Sequence, residues 1–145
     1  MKPILVSACL LGAACKYSGG DNLCPQVASL ASTRPLVPVC PEQLGGLPTP
    51  RTPAERLEDR VITRDGRDVT EAYARGAQEA LKLARLFGCD TAILKARSPS
   101  CGAQGIYDGT FTGTVIPGMG VAAQLLRDAG LRVLTEEELE QLDPL

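Results

Sequence analysis

Three cysteines stand where short apolar runs end. Ile4-Leu-Val6 leads to Cys9, Leu36-Val-Pro-Val39 to Cys40, and Thr91-Ala-Ile-Leu94 to the loop that holds Cys101. Behind Cys40 come Pro41 and Glu42, so a thiol and a carboxylate share one strand end. Runs this short suit buried strands, and α/β proteins build their sites where such strands open into loops. The chain has no histidine. Ser-His-Asp and Cys-His nucleophile pairs, His-ligated zinc and imidazole acid–base chemistry are therefore excluded. Any general base must be Asp, Glu, Lys, Tyr or a thiolate. Three thiolates without imidazole suit a soft metal centre, either zinc or an iron–sulfur cluster. Three ligands leave one metal position open, which is a feature of catalytic centres.

Each of these groups also has a plainer reading. A cysteine after a strand is often a small buried hydrophobe, and Glu42 can be a solvated loop acid. Ser98 before Pro99 can be a turn residue, and Lys95, Arg97 and Arg51 can be surface charges. Cys89 follows a helix terminus on the opposite sheet edge and reads as a buried hydrophobe. Cys15 and Cys24 fall in a loop and in a doubtful helix.

The elements that must position these groups follow from periodicity and punctuation. Strands are expected at Pro3–Ser7, Leu36–Val39, Thr91–Lys95 and Leu131–Leu134. A short helix is expected within Asp21–Ser32 if Pro25 lies in its first turn. The strongest helix starts near Asp68 or Thr70, with Glu71 completing a capping box to Asp68. Its core face carries Tyr73, Ala77, Ala80, Leu81, Ala84 and Phe87, and Gly88 ends it. A further helix is expected over Pro117–Ala129, and Thr135-Glu-Glu-Glu138 reads as a capping box opening a last short helix. Asp65-Gly66 implies a hairpin over Val61–Val69, and Asp108-Gly109 another over Ile106–Phe111. Gln43–Arg60 reads as a long loop of the kind that carries function. Strands alternating with helices imply an α/β fold. Its expected form is a three-layer Rossmann-like parallel sheet with helices on both faces, in a single domain over residues 1–145. The carboxyl ends of parallel strands share one edge, so Cys9, Cys40 and Cys101 are expected to converge.

Composition narrows the partners. The 145 residues carry a net charge of −2 and only 3% aromatics, without tryptophan. No footprint for duplex nucleic acid and no stacking platform for single strands is visible. No apolar run reaches the ~20 residues that span a bilayer. Met1–Cys15 has the outline of a lipoprotein signal. Its single lysine, the immediate Pro3 and the lack of leucine three residues before Cys15 favour strand and loop instead. A cytoplasmic protein with reduced thiols is expected.

Several longer motifs carry a resemblance. They are Cys9-Leu-Leu-Gly12 with Cys15-Lys-Tyr17, Val37-Pro-Val-Cys-Pro-Glu-Gln-Leu-Gly-Gly-Leu-Pro-Thr-Pro-Arg51, Gly66-x-Asp-Val-Thr70, and Lys95-x-Arg-Ser-Pro-Ser-Cys-Gly102. Together they resemble the thiouracil desulfidase family of short bacterial and archaeal proteins, over nearly the whole chain. Ser18 departs from the acidic residue usual after the tyrosine, and Ala122 from a common threonine. The resemblance implies a [4Fe–4S] cluster bound by three cysteines, matching Cys9, Cys40 and Cys101, with one iron open to the substrate's sulfur. It implies that Glu42 and Ser98 are the acid–base residues. The expected activity is non-redox removal of sulfur, as sulfide, from a thiolated pyrimidine such as thiouracil or 4-thiouridine monophosphate. Lys95 and Arg97 are candidates to balance cluster or substrate charge, and Arg51 to meet a phosphate. The rival expectations are a non-catalytic iron–sulfur or zinc protein and a sulfur carrier using a Cys101 persulfide. The sequence leaves open base, nucleoside or monophosphate as substrate, and the oligomeric state.

Overall fold

The computed structural model describes residues 1–142. Four strands, β1 (Ile4–Ser7), β2 (Leu36–Val39), β5 (Thr91–Leu94) and β8 (Arg132–Thr135), form one parallel sheet in the order β2-β1-β5-β8. Ile4 sits opposite both Leu36 and Thr91, and Thr91 opposite Arg132, so the strands are nearly flush. Successive side chains of a strand point to opposite faces, and here both faces are covered. Leu5, Ala92 and Leu94 pack with Ala80, Ala84, Ala123 and Leu126 on one face. Ile4, Val6 and Ile93 pack with Leu10, Val27 and Leu139 on the other. Ile4, Leu5, Ile93, Leu94 and Leu126 are fully buried, each stabilising the fold by about 1.5–3 kcal/mol.

The first face is covered by two true helices, α3 (Thr70–Phe87) and α4 (Val121–Asp128). The second is covered only by short pieces. These are a 3₁₀ turn at Ala8–Leu11, helix α1 (Pro25–Ala28) running on as 3₁₀ through Ser29–Ser32, and a 3₁₀ segment at Glu136–Gln141. Pro25 takes the first helical position, where its missing N–H costs nothing. Thr135 and Glu138 close the expected capping box, and Gly88 ends α3 in the left-handed conformation. The three-layer α/β expectation holds, with one thin layer. Among the described residues no helix is long and apolar enough to cross a membrane.

Several local expectations need correction. Asp68 does not form a capping box with Glu71. Val69 occupies the cap position, and Asp68 instead accepts the Thr70 N–H at 2.9 Å. Phe87, expected on the core face, is the last residue of α3 before the left-handed Gly88 and is 53% exposed. The expected loop 43–60 contains a strand. β3 (Ala54–Leu57) pairs antiparallel with β4 (Arg60–Thr63), and the Asp65-Gly66 turn brings the chain back only for one bridge, Ile62 to Asp68. The second hairpin is wider than expected. β6 (Gly105–Tyr107) pairs with β7 (Val115–Pro117), which removes residues 117–120 from the helix expected there.

Candidate active site

From β1 the chain steps to β2 on one side and later returns to β5 on the other. The carboxyl ends of β1 and β5 therefore flank a topological switch point, where open α/β sheets form their ligand crevice. A cavity of about 500 Å³ opens there, within the range of small-molecule sites. Cys9, Cys40, Glu42, Ser98 and Cys101 all line it. So does Cys15, which sequence reasoning set aside. All six cysteines are free thiols. Cys89 lies in the hydrophobic core and Cys24 lies off the cavity, its Sγ 3.5 Å from Gln26 Oε1.

The thiols share a desolvated environment. Burial pushes the Cys101 thiol up to about 12, although the Ser7 hydroxyl bonded to it pulls the other way. Burial also raises Cys15 to about 12, with the Cys40 thiol adding to the effect. Cys9 is raised by burial, and the Asn22 side chain partly offsets this. Cys40 Sγ lies 3.8 Å from the Cys15 carbonyl oxygen. Ser7 accepts the Lys95 N–H at 2.9 Å, which fixes its hydroxyl between β1 and β5.

Glu42 is held most firmly of all. Cys40 follows β2 as the cap residue, and Pro41 opens the one-turn helix α2 (Pro41–Leu44) at its first position. Helix α2 lies directly on α3, where Gly45 and Gly76 leave no room for a Cβ against Ala72 O and Pro41 O. Tyr73, one turn back along α3, donates its O–H to Glu42 Oε1 at 2.7 Å. Arg51 donates from Nε, at 3.0 Å, and from Nη2 to Glu42 Oε2. The rest of the guanidinium is committed as well. Nη1 reaches Pro48 O at 3.1 Å and Thr49 Oγ1 at 2.9 Å, and Nη2 also reaches Cys15 O at 2.9 Å. Guanidinium has five N–H donors, and all five are used. Arg51 therefore has no donor left for a substrate phosphate, against the expectation that it would meet one.

Ser98 also has a structural task, because its Oγ accepts the N–H groups of Ser100 at 3.1 Å and Cys101 at 3.0 Å. It is a turn residue and a cavity residue at once, and its O–H remains free to donate. Lys95 Nζ pairs with Glu136 at 3.1 Å, and Arg97 forms a two-point pair with Glu137 at 3.0 and 3.2 Å. The mouth of the cavity is built by the two hairpins. Glu55 of β3 accepts the N–H groups of Gly109 and Phe111, and Arg64 lies 5.5 Å over the Phe111 ring. Sequence reasoning missed Tyr73 as a site residue, the placement of Cys15, and the polar partners Ser7 and Asn22.

The residues fit an iron–sulfur cluster. Cys9, Cys40 and Cys101 bring thiols from three strand ends to one cavity, a soft donor set without imidazole of the kind that holds iron–sulfur clusters. Ser100, in the cavity wall and 1% exposed, has an Oγ with no hydrogen-bond partner among the described residues. An unpaired buried hydroxyl is costly unless a bound group accepts from it.

The sequence profile of the family described as 2-thiouracil desulfurase matches residues 4–138. The chain belongs to the 2-thiouracil desulfurase family. A Bacillus subtilis (strain 168) protein described as "Uncharacterized protein YbbK" is 44% identical over 149 residues, spanning 96% of this chain and 99% of that one. The solved structure of a [4Fe-4S]-dependent thiouracil desulfidase, TudS, superposes with a TM-score of 0.93 at 42% identity. The match covers 98% of this chain and 95% of that one.

Proposed function

We propose that this member of the 2-thiouracil desulfurase family is a [4Fe–4S]-dependent, non-redox desulfidase that releases sulfide from a thiolated pyrimidine. Cys9, Cys40 and Cys101 hold the cluster, and Glu42 and Ser98 manage the protons. The observation that carries the reading is the meeting of Cys9, Cys40 and Cys101 with the clamped carboxylate of Glu42 in a single cavity at the sheet's switch point. A cluster held by these three thiolates would supply Lewis-acid polarisation of a thiocarbonyl, making its carbon open to attack by water. Glu42, which lines the cavity with the thiols, accepts a proton from the attacking water. Ser98 donates its free O–H to the substrate. Water supplies the oxygen of the carbonyl product, sulfur leaves as sulfide, and no net electron transfer occurs. Free thiols and a thiolate-bound cluster suit a reducing compartment such as the cytoplasm.

A nucleotide substrate is favoured by the mouth. Lys16 and Arg64 line it and, among the described residues, neither forms an ion pair. They are the cations placed to meet a phosphate once the base is inside, a role Arg51 cannot fill.

The test is anaerobic reconstitution followed by sulfide release from thiouracils, thiouridines and their monophosphates. Iron-dependent turnover is expected, with kcat/KM highest for a monophosphate and falling on Arg64→Ala. A protein that only stores or senses metal would release no sulfide from any of them. A persulfide carrier would remain active without iron. Glu42→Gln is expected to bind iron normally and to lose about 10²–10⁴-fold in sulfide release.

A further inference from the structure

The core face of α3 is made of Gly76, Ala77, Ala80 and Ala84, small residues that let the helix approach the sheet and α2 closely. Tyr73 is the one large polar side chain on that face, and it is 3% exposed. Its phenol reaches past the α2 backbone to the Glu42 carboxylate. A buried tyrosine hydroxyl needs some partner, and a backbone carbonyl would serve that need. Here the partner is the carboxylate assigned to the chemistry.

A carboxylate offers about four lone-pair positions, two on each oxygen. Arg51 fills both positions on Oε2, through Nε and Nη2. Tyr73 fills one on Oε1. A single lone pair, on Oε1, remains to receive a proton.

We propose that Tyr73 is the positioning residue for Glu42: with Arg51 it selects the one lone pair of Oε1 that takes the proton from water. This rests on the reading of Glu42 as the acid–base residue. The groups facing Glu42 are Arg51 from the loop after α2, Tyr73 from α3, and Cys101 from the loop after β5. Burial and the Glu42 charge push the Tyr73 phenol far above its ordinary value. It therefore remains a donor throughout the pH range of the enzyme.

The experiment uses the anaerobically reconstituted full chain. Tyr73→Phe keeps the ring and removes the O–H. Iron content, visible absorption and KM are expected to match the unsubstituted protein, while kcat falls about ten- to a hundredfold, as for losing a hydrogen bond to a charged group. Difluorotyrosine placed at position 73 keeps the hydroxyl donor and is expected to retain most of kcat. A purely structural tyrosine would leave kcat unmoved while iron content and KM hold. Unchanged kcat in Tyr73→Phe, beside an inactive Glu42→Gln, would overturn the proposal while leaving the reading of Glu42 intact. Loss of iron in Tyr73→Phe, or a kcat that falls as far with difluorotyrosine, would also overturn it. Full turnover in Glu42→Gln would instead remove the reading of Glu42, and the proposal with it.

Discussion

The Cα of Gly76 on α3 lies against the carbonyl oxygen of Pro41, the residue between Cys40 and Glu42. A Cβ at position 76 would overlap that oxygen, and neither backbone can yield without moving the other. The contact sets the distance from Tyr73 to Glu42 and from Cys40 to the other thiols. Gly76→Ala is expected to overpack the junction at a cost of about 1–3 kcal/mol, lowering Tm by roughly 4–10 °C. Calorimetry checks the first effect, and iron content after reconstitution checks the displacement of Cys40.

The ligand set makes separate predictions for each cysteine. Replacing Cys9, Cys40 or Cys101 by alanine is expected to abolish iron binding and visible absorption. Cys24→Ala and Cys89→Ala are expected to retain both, because one thiol lies off the cavity and the other lies in the core. Cys15→Ala is expected to retain them as well, since three ligands suffice for an open-iron cluster. Iron analysis of the six variants reads the set directly.

Arg51 is buried to 6% side-chain exposure in its pair with Glu42 and bonds three loop oxygens besides. Lysine has the charge but not the fork. Arg51→Lys is expected to keep the cluster and to lose on the order of 10²-fold in kcat, the usual cost of a misplaced catalytic group. Single-turnover sulfide release separates this loss from weaker substrate binding.

The parts of the site that were legible in the sequence were those set by topology. Cys9, Cys40 and Cys101 follow apolar runs, and parallel strands must put such ends on one edge. Cys15 was not legible, because its place depends on how the loop after Gly12 folds back, through bonds such as Cys15 N–H to Ala13 O at 2.8 Å. Tyr73 was read as core from its helical spacing, and it is core. Periodicity reports which face a residue is on, and says nothing of what its hydroxyl meets across α2. The saturation of Arg51 needs carbonyls from two loops and one carboxylate, a coincidence no spacing rule contains. Strand β3 escaped notice because Ala54-Glu-Arg-Leu57 neither alternates nor buries a face. Its burial is intermediate until Leu57, which is exposed.

Ser98 serves the turn that carries Cys101 as well as the cavity. Ser98→Ala leaves the N–H groups of Ser100 and Cys101 without their acceptor, at a cost of about 1 kcal/mol. The variant is expected to assemble the cluster but to surrender iron to a chelator faster than the unsubstituted protein. Ser98→Thr keeps the acceptor and is expected to restore the slower rate. If both variants release iron at the original rate, Ser98 is not supporting Cys101.

Asp68 gives the fold a pH dependence that can be isolated. Its carboxyl is held below the usual 3.8, first by the Thr70 hydroxyl, then by the Thr70 N–H, with Arg60 adding to both. The bonds are 2.6 Å to Thr70 Oγ1 and 2.9 Å to Thr70 N, at the start of α3. A carboxyl whose pKa is lower folded than unfolded contributes stability above the unfolded value. That contribution is lost as pH falls through the folded value. Asp68→Asn removes the charge and with it this dependence. The urea midpoint of the unsubstituted protein is therefore expected to exceed that of Asp68→Asn by a constant margin above about pH 5. Below the usual aspartate value near 3.8 the margin should shrink, and it should vanish once Asp68 is protonated in the folded state. Parallel urea titrations between pH 7 and the acid limit of folding measure it. A margin that stays constant through acid would mean that Asp68 titrates alike in the folded and unfolded chain.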